Sequence, residues 1–374
     1  MAEHLHTPRG RGGDPAGLHF LLAGGGSGGH VFPALAVATA AQRRGARVSF
    51  VGSPHGFEAR LVPERGIPFH ALPARPVLGR GFAGKAQAGM TLLASTWRAW
   101  GLARRLAPDA VLGTGGYASA APVLGARLAG APAVLLEPNA APGAANQVLS
   151  RFAAGACIAF RETADAMRCT SWMTGVPVRD ELFGIPEGLP ELGAGVRLLV
   201  LGGSQGAQQL NRMVPAALAG LPAGLGVARV VHQCGQAHVE ATREAWAAAA
   251  GAGVEVEVVP FIADVPAAMA AAHLVVSRAG AITLAELCAA GRPSVLVPLS
   301  IAAGHQIGNA LAMESAGAAR LLRGDEATAE GLAAILAELL GPGERLQGMA
   351  RAARKLGRPG AADAIVDRLV EVVG

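Results

Sequence analysis

Short, wholly apolar runs alternate with stretches of helical periodicity along most of this chain. In the first half the runs at 18–24, 47–52, 69–73, 110–113, 133–137, 155–160 and 171–174 predict strands. In the second half the runs at 197–202, 228–233, 254–260, 273–277 and 294–298 do the same, with a weaker one at 319–322. Between them the spacing predicts helices over 33–44, 208–219, 237–249, 282–290 and 306–316. Strands separated by helices imply an α/β protein with parallel sheets covered by helices. Val176 to Gly195 carries three prolines and four glycines with little periodicity, and is the predicted linker between two halves. Residues 1–17 are rich in Gly, Pro and charge and read as a disordered extension. After Gly341 the chain is helical and basic, then helical again from Ala361 to Val373, so that a last helix is able to pack back on the first half.

Each half opens on the same device. Leu18 to Ala23 runs into Gly24-Gly25-Gly26-Ser27-Gly28-Gly29-His30, and Leu198 to Leu201 runs into Gly202-Gly203-Ser204-Gln205-Gly206-Ala207. A strand, a turn of small residues and a helix bring backbone close to a ligand and aim unpaired N–H groups at an anion. Two such turns imply two similar domains facing one cleft. A dinucleotide-binding oxidoreductase would place an acidic residue at the end of the next strand to hold a ribose hydroxyl. That strand ends Phe50-Val51-Gly52-Ser53-Pro54, which argues against it.

Composition narrows the partners. A length of 374 residues with 51% hydrophobic content supports two sizeable cores. The net charge of +5 favours an anionic partner. One tyrosine and few other aromatics leave no stacking platform for single-stranded nucleic acid, so nucleic acid is not an expected partner. Cys157, Cys169, Cys234 and Cys288 are scattered, which argues for reduced thiols rather than disulfides or zinc. The first residues lack the apolar core of a signal peptide, and apolar stretches elsewhere are broken before a membrane span is reached. The expected location is therefore cytoplasmic.

Several residues stand out chemically. Ser277-Arg278-Ala279-Gly280 leads from a strand into Ala281-Ile282-Thr283-Leu284-Ala285-Glu286. The N–H groups of Ala281 to Thr283 suit a diphosphate and Glu286 suits ribose hydroxyls; the alternative is that Glu286 only caps its helix with Thr283. His30 suits proton abstraction from an attacking hydroxyl, or equally a neutral role packing the turn. Glu137, at a strand end, is the reserve base. From Arg75 to Arg105 six basic and no acidic residues (Arg75, Arg80, Lys85, Arg98, Arg104, Arg105) interleave with Val77, Leu78, Phe82, Met90, Leu92, Leu93, Trp97 and Trp100. That composition suits an anionic membrane surface, or else a core-facing helix with a solvated basic face. There is no clustered Asp/Glu site, and neither metal nor cofactor is expected.

Taken in order, Gly24–His30 followed by Val31-Phe32-Pro33, Gly115-Gly116-Tyr117, Gly175-Val176-Pro177-Val178-Arg179, Gly202–Ala207, His232-Gln233, Pro260-Phe261-Ile262, Ser277–Glu286 and His305-Gln306 with Asn309 make a specific set over residues 18 to 370. The set resembles the MurG family of peptidoglycan glycosyltransferases. The resemblance implies a GT-B fold, an N-terminal acceptor and membrane domain over 18–178 joined by a C-terminal helix at about 357–374, and a UDP-GlcNAc-binding domain over 179–356. It implies inverting transfer of GlcNAc from UDP-GlcNAc to the C4 hydroxyl of undecaprenyl-diphospho-MurNAc-pentapeptide (lipid I), at the cytoplasmic face of the membrane as a peripheral protein. Ser27, Gly28 and Gly29 would lie at donor and acceptor phosphates; Asn139, Arg179, Ser204, Gln205 and Gly206 would also line the donor site. Ile262, with Phe261 beside it, would address the uracil through its backbone; Ala281 to Glu286 would hold diphosphate and ribose, and Gln306 or His305 a sugar hydroxyl. A related transferase acting on another glycolipid, and a non-catalytic UDP-sugar-binding subunit, are the alternatives. The chain departs from the family at Glu137-Pro138-Asn139, at Ala118-Ser119-Ala120 and at Ser300–Gly304.

Overall fold

The computed structural model describes residues 5–6, 13–26, 28–56, 58–74, 82–193, 195–203, 206–221, 226–249, 254–299, 304–341 and 344–374. Contacts divide the chain into two units, Met1–Val178 with Gly360–Gly374, and Arg179–Pro359. The first runs β1 (Leu5–His6), β2 (His19–Ala23), α1 (Gly28–Arg43), β3 (Arg47–Gly52), α2 (Glu58–Leu61), β4 (Phe69–Ala71), α3 (Phe82–Leu106), β5 (Ala110–Gly113), α4 (Ala120–Leu128), β6 (Ala133–Glu137), α5 (Ala144–Leu149), β7 (Gly155–Ile158) and β8 (Thr170–Met173). The second runs β9 (Val196–Leu201), α6 (Gln208–Ala219), β10 (Val227–Gln233), α7 (Val239–Ala248), β11 (Glu255–Val259), α8 (Val265–Ala271), β12 (Leu274–Ser277), α9 (Ala281–Ala290), β13 (Ser294–Leu296), α10 (Gly304–Ser315), β14 (Ala319–Leu321), α11 (Ala329–Leu340) and α12 (Arg345–Leu356). The last helix, α13 (Ala361–Glu371), returns to the first unit.

The sheets are parallel throughout, ordered β1-β8-β7-β6-β5-β2-β3-β4 and β11-β10-β9-β12-β13-β14. Central strands such as β2 and β6 are buried at every residue, whereas edge strands β4 and β11 are half-exposed. Helices on both faces account for the unbroken apolar runs of the interior strands. In the first unit Leu22, paired with Phe50 and Leu112, sits with Val37 and Trp172 on one face. Leu21, Val51, Leu102 and Leu135 pack on the other.

The C-terminal helix α13 contributes Ile365, Val366 and Leu369 to the first face. Burying each such side chain is worth about 1.5–3 kcal/mol, more than the partly exposed pairs Arg43–Asp363 (2.7 Å) and Arg44–Asp367 (2.8 Å) that flank the helix. The segment expected as a linker contains a helical turn at Asp180–Leu182 and is held to the second unit. Arg354 donates to the carbonyls of Leu182, Phe183, Ile185 and Ala289, and buried Arg292 to that of Gly188. Desolvation depresses the Arg292 pKa to about 10.

Two expectations change. The first helix begins at Gly28 rather than residue 33, and so contains Pro33. A proline this near a helix start removes one bond, to the carbonyl four residues back, without breaking the later turns. In the stretch expected to be disordered, Leu5 and His6 pair with Ser171 and Trp172, adding a parallel strand to the exposed edge of β8. So short a pairing carries no periodicity to read.

Gly155 of β7 faces the Trp172 ring, and a Cβ there would lie 2.1 Å from it. The Arg368 guanidinium covers the same indole at 5.4 Å, so the ring is confined. Gly155→Ala is expected to lower stability by about 1–3 kcal/mol, the ordinary result of overpacking. Urea unfolding checks this; an unchanged midpoint would mean that the ring moves without strain.

Candidate functional site

In the first unit the chain leaves β2 into the glycine turn and enters α1 at Gly28, with Gly26 at φ +86°. Ser27 lies outside the described residues; Gly28, Gly29 and His30 form the first turn of α1, whose N–H groups have no intrahelical acceptor. The turn is pressed against Thr114 to Tyr117, which follow β5. A Cβ at Gly24 would lie 2.0 Å from Thr114 Oγ1, one at Gly26 2.8 Å from the Tyr117 ring, and one at Gly116 2.6 Å from the Gly25 carbonyl. These close approaches are why the run must be glycine.

His30 is fixed by the same loop. Its Nδ1 donates to the Thr114 carbonyl (2.8 Å) while the Thr114 hydroxyl donates to the His30 carbonyl (2.9 Å). A carbonyl accepts only, so Nδ1 carries the proton of the neutral ring and Nε2 its lone pair. Gly115 separates the imidazole from Asn146, a Cβ there lying 3.1 Å from the ring and 3.3 Å from the Asn146 amide. Asn146 Nδ2 donates to Glu137 Oε2 (3.0 Å) and to the Leu136 carbonyl (2.9 Å). Glu137, 1% exposed, accepts further from the Asn139 N–H (3.0 Å), Asn139 Nδ2 (2.9 Å) and the Gly143 N–H (2.9 Å). Its carboxylate is thus spent on holding the loop after β6. Sequence reasoning missed Thr114 and Asn146, and also Glu58, whose buried carboxylate lies under the glycine turn.

The second unit repeats the plan. Ser204 and Gln205 lie outside the described residues, but Gly202, Gly203, Gly206 and Ala207 lead from β9 into α6. Gly206 is at φ +76°, and a Cβ there would strike the Cys234 carbonyl at 2.1 Å. Beneath it lies a neutral relay. Trp246 Nε1 donates to His232 Nδ1 (3.1 Å), His232 Nε2 therefore donates to Asn211 Oδ1 (3.0 Å), and Asn211 Nδ2 donates to the Cys234 carbonyl (3.0 Å). Burial pushes the His232 pKa down to about 4, so the imidazole stays neutral.

Helix α9 starts at Ala281 behind the N-cap Gly280, with no side chain capping it, and the N–H groups of Ala281, Ile282 and Thr283 meet no backbone acceptor among the described residues. Leu284 is buried in the core and Ala285 half-buried. Glu286 lies in the second turn, half-buried, and accepts no hydrogen bond among the described residues, so the capping alternative fails. Desolvation raises its pKa to about 7, with Arg179 pulling it back down. Arg278 ties its own loop to the start of α6 and to the loop after β13, donating from Nη1 to Gln209 Oε1 (2.9 Å) and to the Val297 (3.0 Å) and Pro298 carbonyls. Past β11, Phe261 is exposed and Ile262 buried, and the Ile262 N–H and C=O take no part in a backbone bond among the described residues. They border a cavity of about 420 Å³ walled by Leu199, Val231 and Val259. His305 and Gln306 begin α10, half-buried; Gln306 Oε1 accepts from the Leu299 N–H (3.1 Å), so Nε2 is the group it has left to offer. Asn309 Nδ2 donates to the Ala279 carbonyl (3.1 Å).

In α3 the small residues Ala88, Ser95, Ala99 and Ala103 face inward, while Met90 (65% exposed), Leu93 (74%) and Trp97 (69%) share an outer face. Trp97 and Trp100 stack with centroids 4.9 Å apart, and Arg104 lies 5.6 Å from the Trp100 ring. Arg98 and Arg105 are exposed. Arg75 and Arg80 lie outside the described residues, as do the side chains of Phe82 and Lys85. No described helix is long and apolar enough to cross a membrane, and no cluster of three or more His, Cys, Asp or Glu side chains among the described residues is arranged to hold a metal ion.

Residues 20–158 match the glycosyltransferase family 28 N-terminal domain, and residues 197–365 the glycosyltransferase family 28 C-terminal domain. The chain is 45% identical over 355 residues to a protein of Stutzerimonas stutzeri, covering 94% of this chain and 98% of that one. It is 43% identical over 353 residues to one of Syntrophotalea carbinolica, covering 93% and 97%. Both are named UDP-N-acetylglucosamine–N-acetylmuramyl-(pentapeptide) pyrophosphoryl-undecaprenol N-acetylglucosamine transferase. The crystal structure of Acinetobacter baumannii MurG superposes with a TM-score of 0.80 at 35% identity, covering 95% of this chain and 99% of that one. A calicheamicin glycosyltransferase, at 19% identity and a TM-score of 0.62, shares the fold alone, which is GT-B. With two Rossmann-like units, both family 28 domains and full-length relatives at this identity, the chain belongs to the MurG family of glycosyltransferases.

Proposed function

We propose that this protein transfers GlcNAc from UDP-GlcNAc to the C4 hydroxyl of undecaprenyl-diphospho-MurNAc-pentapeptide, forming lipid II for peptidoglycan synthesis. Near-full-length identity to transferases of that name supports the reaction. The observation on this chain that carries it is the pair of glycine turns, one per unit, each leading into a helix start.

The second unit takes the donor. The Ile262 backbone reads the uracil edge beside Phe261, and Glu286 accepts hydrogen bonds from the ribose hydroxyls. The α9 amides, Gly206 and the Ser204–Gln205 turn meet the diphosphate, with Arg179 nearby, and Gln306 Nε2 or His305 meets the sugar. As the glycosidic bond breaks, negative charge grows on the UDP phosphate, and fixed N–H dipoles stabilise it without reorganising. The first unit takes the acceptor, its diphosphate on the amides of Gly28, Gly29 and His30. His30 Nε2 accepts the proton of the attacking hydroxyl, because Thr114 fixes the proton on the other nitrogen. Glu137 and Asn139 keep the neighbouring loop in place. The exposed apolar face of α3, with Arg98 and Arg105, rests on the anionic membrane surface that carries the acceptor's lipid; the protein is peripheral, at the cytoplasmic face.

Incubated with UDP-GlcNAc and a lipid I analogue, the protein should form the β-1,4 product, with EDTA present or absent. His30→Ala should lower kcat by about 10²–10⁴, the usual cost of losing a general base. Absence of product, or transfer to diacylglycerol in preference to the lipid I analogue, would defeat the substrate assignment; near-normal turnover in His30→Ala would take the proton from His30.

Glu286→Gln should raise KM for UDP-GlcNAc about ten- to a hundredfold above neutral pH, matching the ~1.5–3 kcal/mol of hydrogen bonds to a charged group. With its pKa at about 7, the wild-type carboxylate loses its charge as pH falls, so wild-type KM should climb on acidification from pH 8 to 6. The variant's KM should stay flat over that range. A parallel rise in both would assign the titration to another group.

Sedimentation with anionic vesicles checks the membrane face. Binding should weaken as salt rises, and Arg98→Glu with Arg105→Glu and Trp97→Ser should release the protein, each lost cation costing about 1 kcal/mol. Activity on a short-chain, water-soluble acceptor should survive. Vesicle binding indifferent to both would place the contact elsewhere.

A further inference from the structure

Glu58 is a buried carboxylate that the reaction scheme above does not use. It is 0% exposed, at the first residue of the short helix α2. Its oxygens turn away from its own helix. Oε1 accepts from the Ser53 N–H (2.9 Å), and Oε2 from the Gly26 N–H (3.4 Å) in the first glycine turn. Among the described residues no basic side chain forms an ion pair with it.

The surrounding backbone is shaped around this group. A Cβ at Gly25 would lie 2.0 Å from Oε1, one at Gly56 2.2 Å from Oε2, and one at Gly52 2.5 Å from Cγ of the same side chain. Glycines from the β2 turn, the end of β3 and the start of α2 therefore leave a socket for one carboxylate. An unpaired anion in such a place is costly unless N–H groups hold it, and here two backbone amides do. Capping of α2 does not account for it, because the contacts run to Ser53 and across to Gly26.

The socket lies one residue from the reacting groups. The Gly25 carbonyl abuts Gly116, a Cβ on Gly116 would lie 3.0 Å from the His30 ring, and Gly26 abuts Tyr117. We propose that Glu58 is a positioning residue for the acceptor: it locks the Gly25–Gly26 backbone from below and withdraws the Gly26 amide from the substrate. The acceptor's diphosphate is then confined to the amides of Gly28, Gly29 and His30, in register with the imidazole. This rests on reading the first glycine turn as the acceptor-phosphate site. A negative charge under the turn also repels a phosphate that settles too deep.

The test compares Glu58→Gln with Gly56→Ala. The first keeps the shape and removes the charge. The second leaves Glu58 intact, lies outside the left-handed region, and drives a methyl into the flexible end of the carboxylate, displacing it. Both variants should raise KM for a short-chain polyprenyl-diphosphate-MurNAc-pentapeptide about tenfold or more, while UDP affinity by calorimetry stays within about twofold of wild type. A merely structural role would instead lower kcat in proportion to lost folded protein, with both KM values unchanged, and would overturn the proposal. So would two variants with wild-type acceptor KM. Failure of the wild type itself to use this acceptor would strike the reading of the site, a result separable from either.

Discussion

Parallel pairing points every strand's carboxyl end to the same edge of its sheet, and all else in this molecule follows from that constraint. Along that edge the chain must turn from strand to helix, and each helix start leaves N–H groups without an intrahelical partner. A parallel sheet with helices on both faces buries its strands but cannot bury these junctions. The molecule fills them with glycine turns, with side-chain amides and with three carboxylates.

The turns keep their shape because neighbouring junctions brace them. Thr114 after β5 clasps His30, and Asn146 of α5 holds Glu137 at the end of β6. In the second unit Asn211 of α6, His232 of β10 and Trp246 of α7 form one chain of neutral hydrogen bonds ending on the Cys234 carbonyl, against which Gly206 packs. Because the indole donates only, the direction of every bond in that chain is set. Protonating His232 would set an N–H on Nδ1 against the indole N–H, two donors with no acceptor between them, and break that bond, which is why burial and a depressed pKa serve the geometry.

Interior strands were legible in the sequence because burial on both faces makes them continuous apolar runs, and the observed β2 to β14 fall within a residue or two of those runs. The α1 start was not, because Gly-Gly and Pro33 are boundary signals that tertiary packing overrode. In the site, legibility followed sequence distance. The glycine turns and Glu286 lie within one strand–turn–helix segment and announce themselves. Thr114, Asn146 and Glu58 act on residues brought to them by the order of the strands, and a glutamate opening a short helix looks like any other until the glycines opposite it are in view. The apolar face of α3 was readable as composition, but not its direction. Alanines and Ser95 packing inward are what turn Met90, Leu93 and Trp97 out.

The three carboxylates at these junctions divide by how they are satisfied. Glu137 and Glu58 have their acceptors filled by N–H groups of the chain itself, and each holds a loop. Glu286 is desolvated with Arg179 as its electrostatic counterweight and no donor among the described residues. A carboxylate whose folded pKa is raised from 4.5 to about 7 takes up protons on folding. Its contribution to stability is therefore most favourable at acid pH, falls as pH rises through that interval, and stays unfavourable above it. A diol placed against Glu286 would supply the missing donors and lower that pKa, returning in binding what folding gave up. A site built this way is destabilised where it is empty and relieved where it is filled, and the unsatisfied carboxylate marks the ligand's place more sharply than the satisfied ones do.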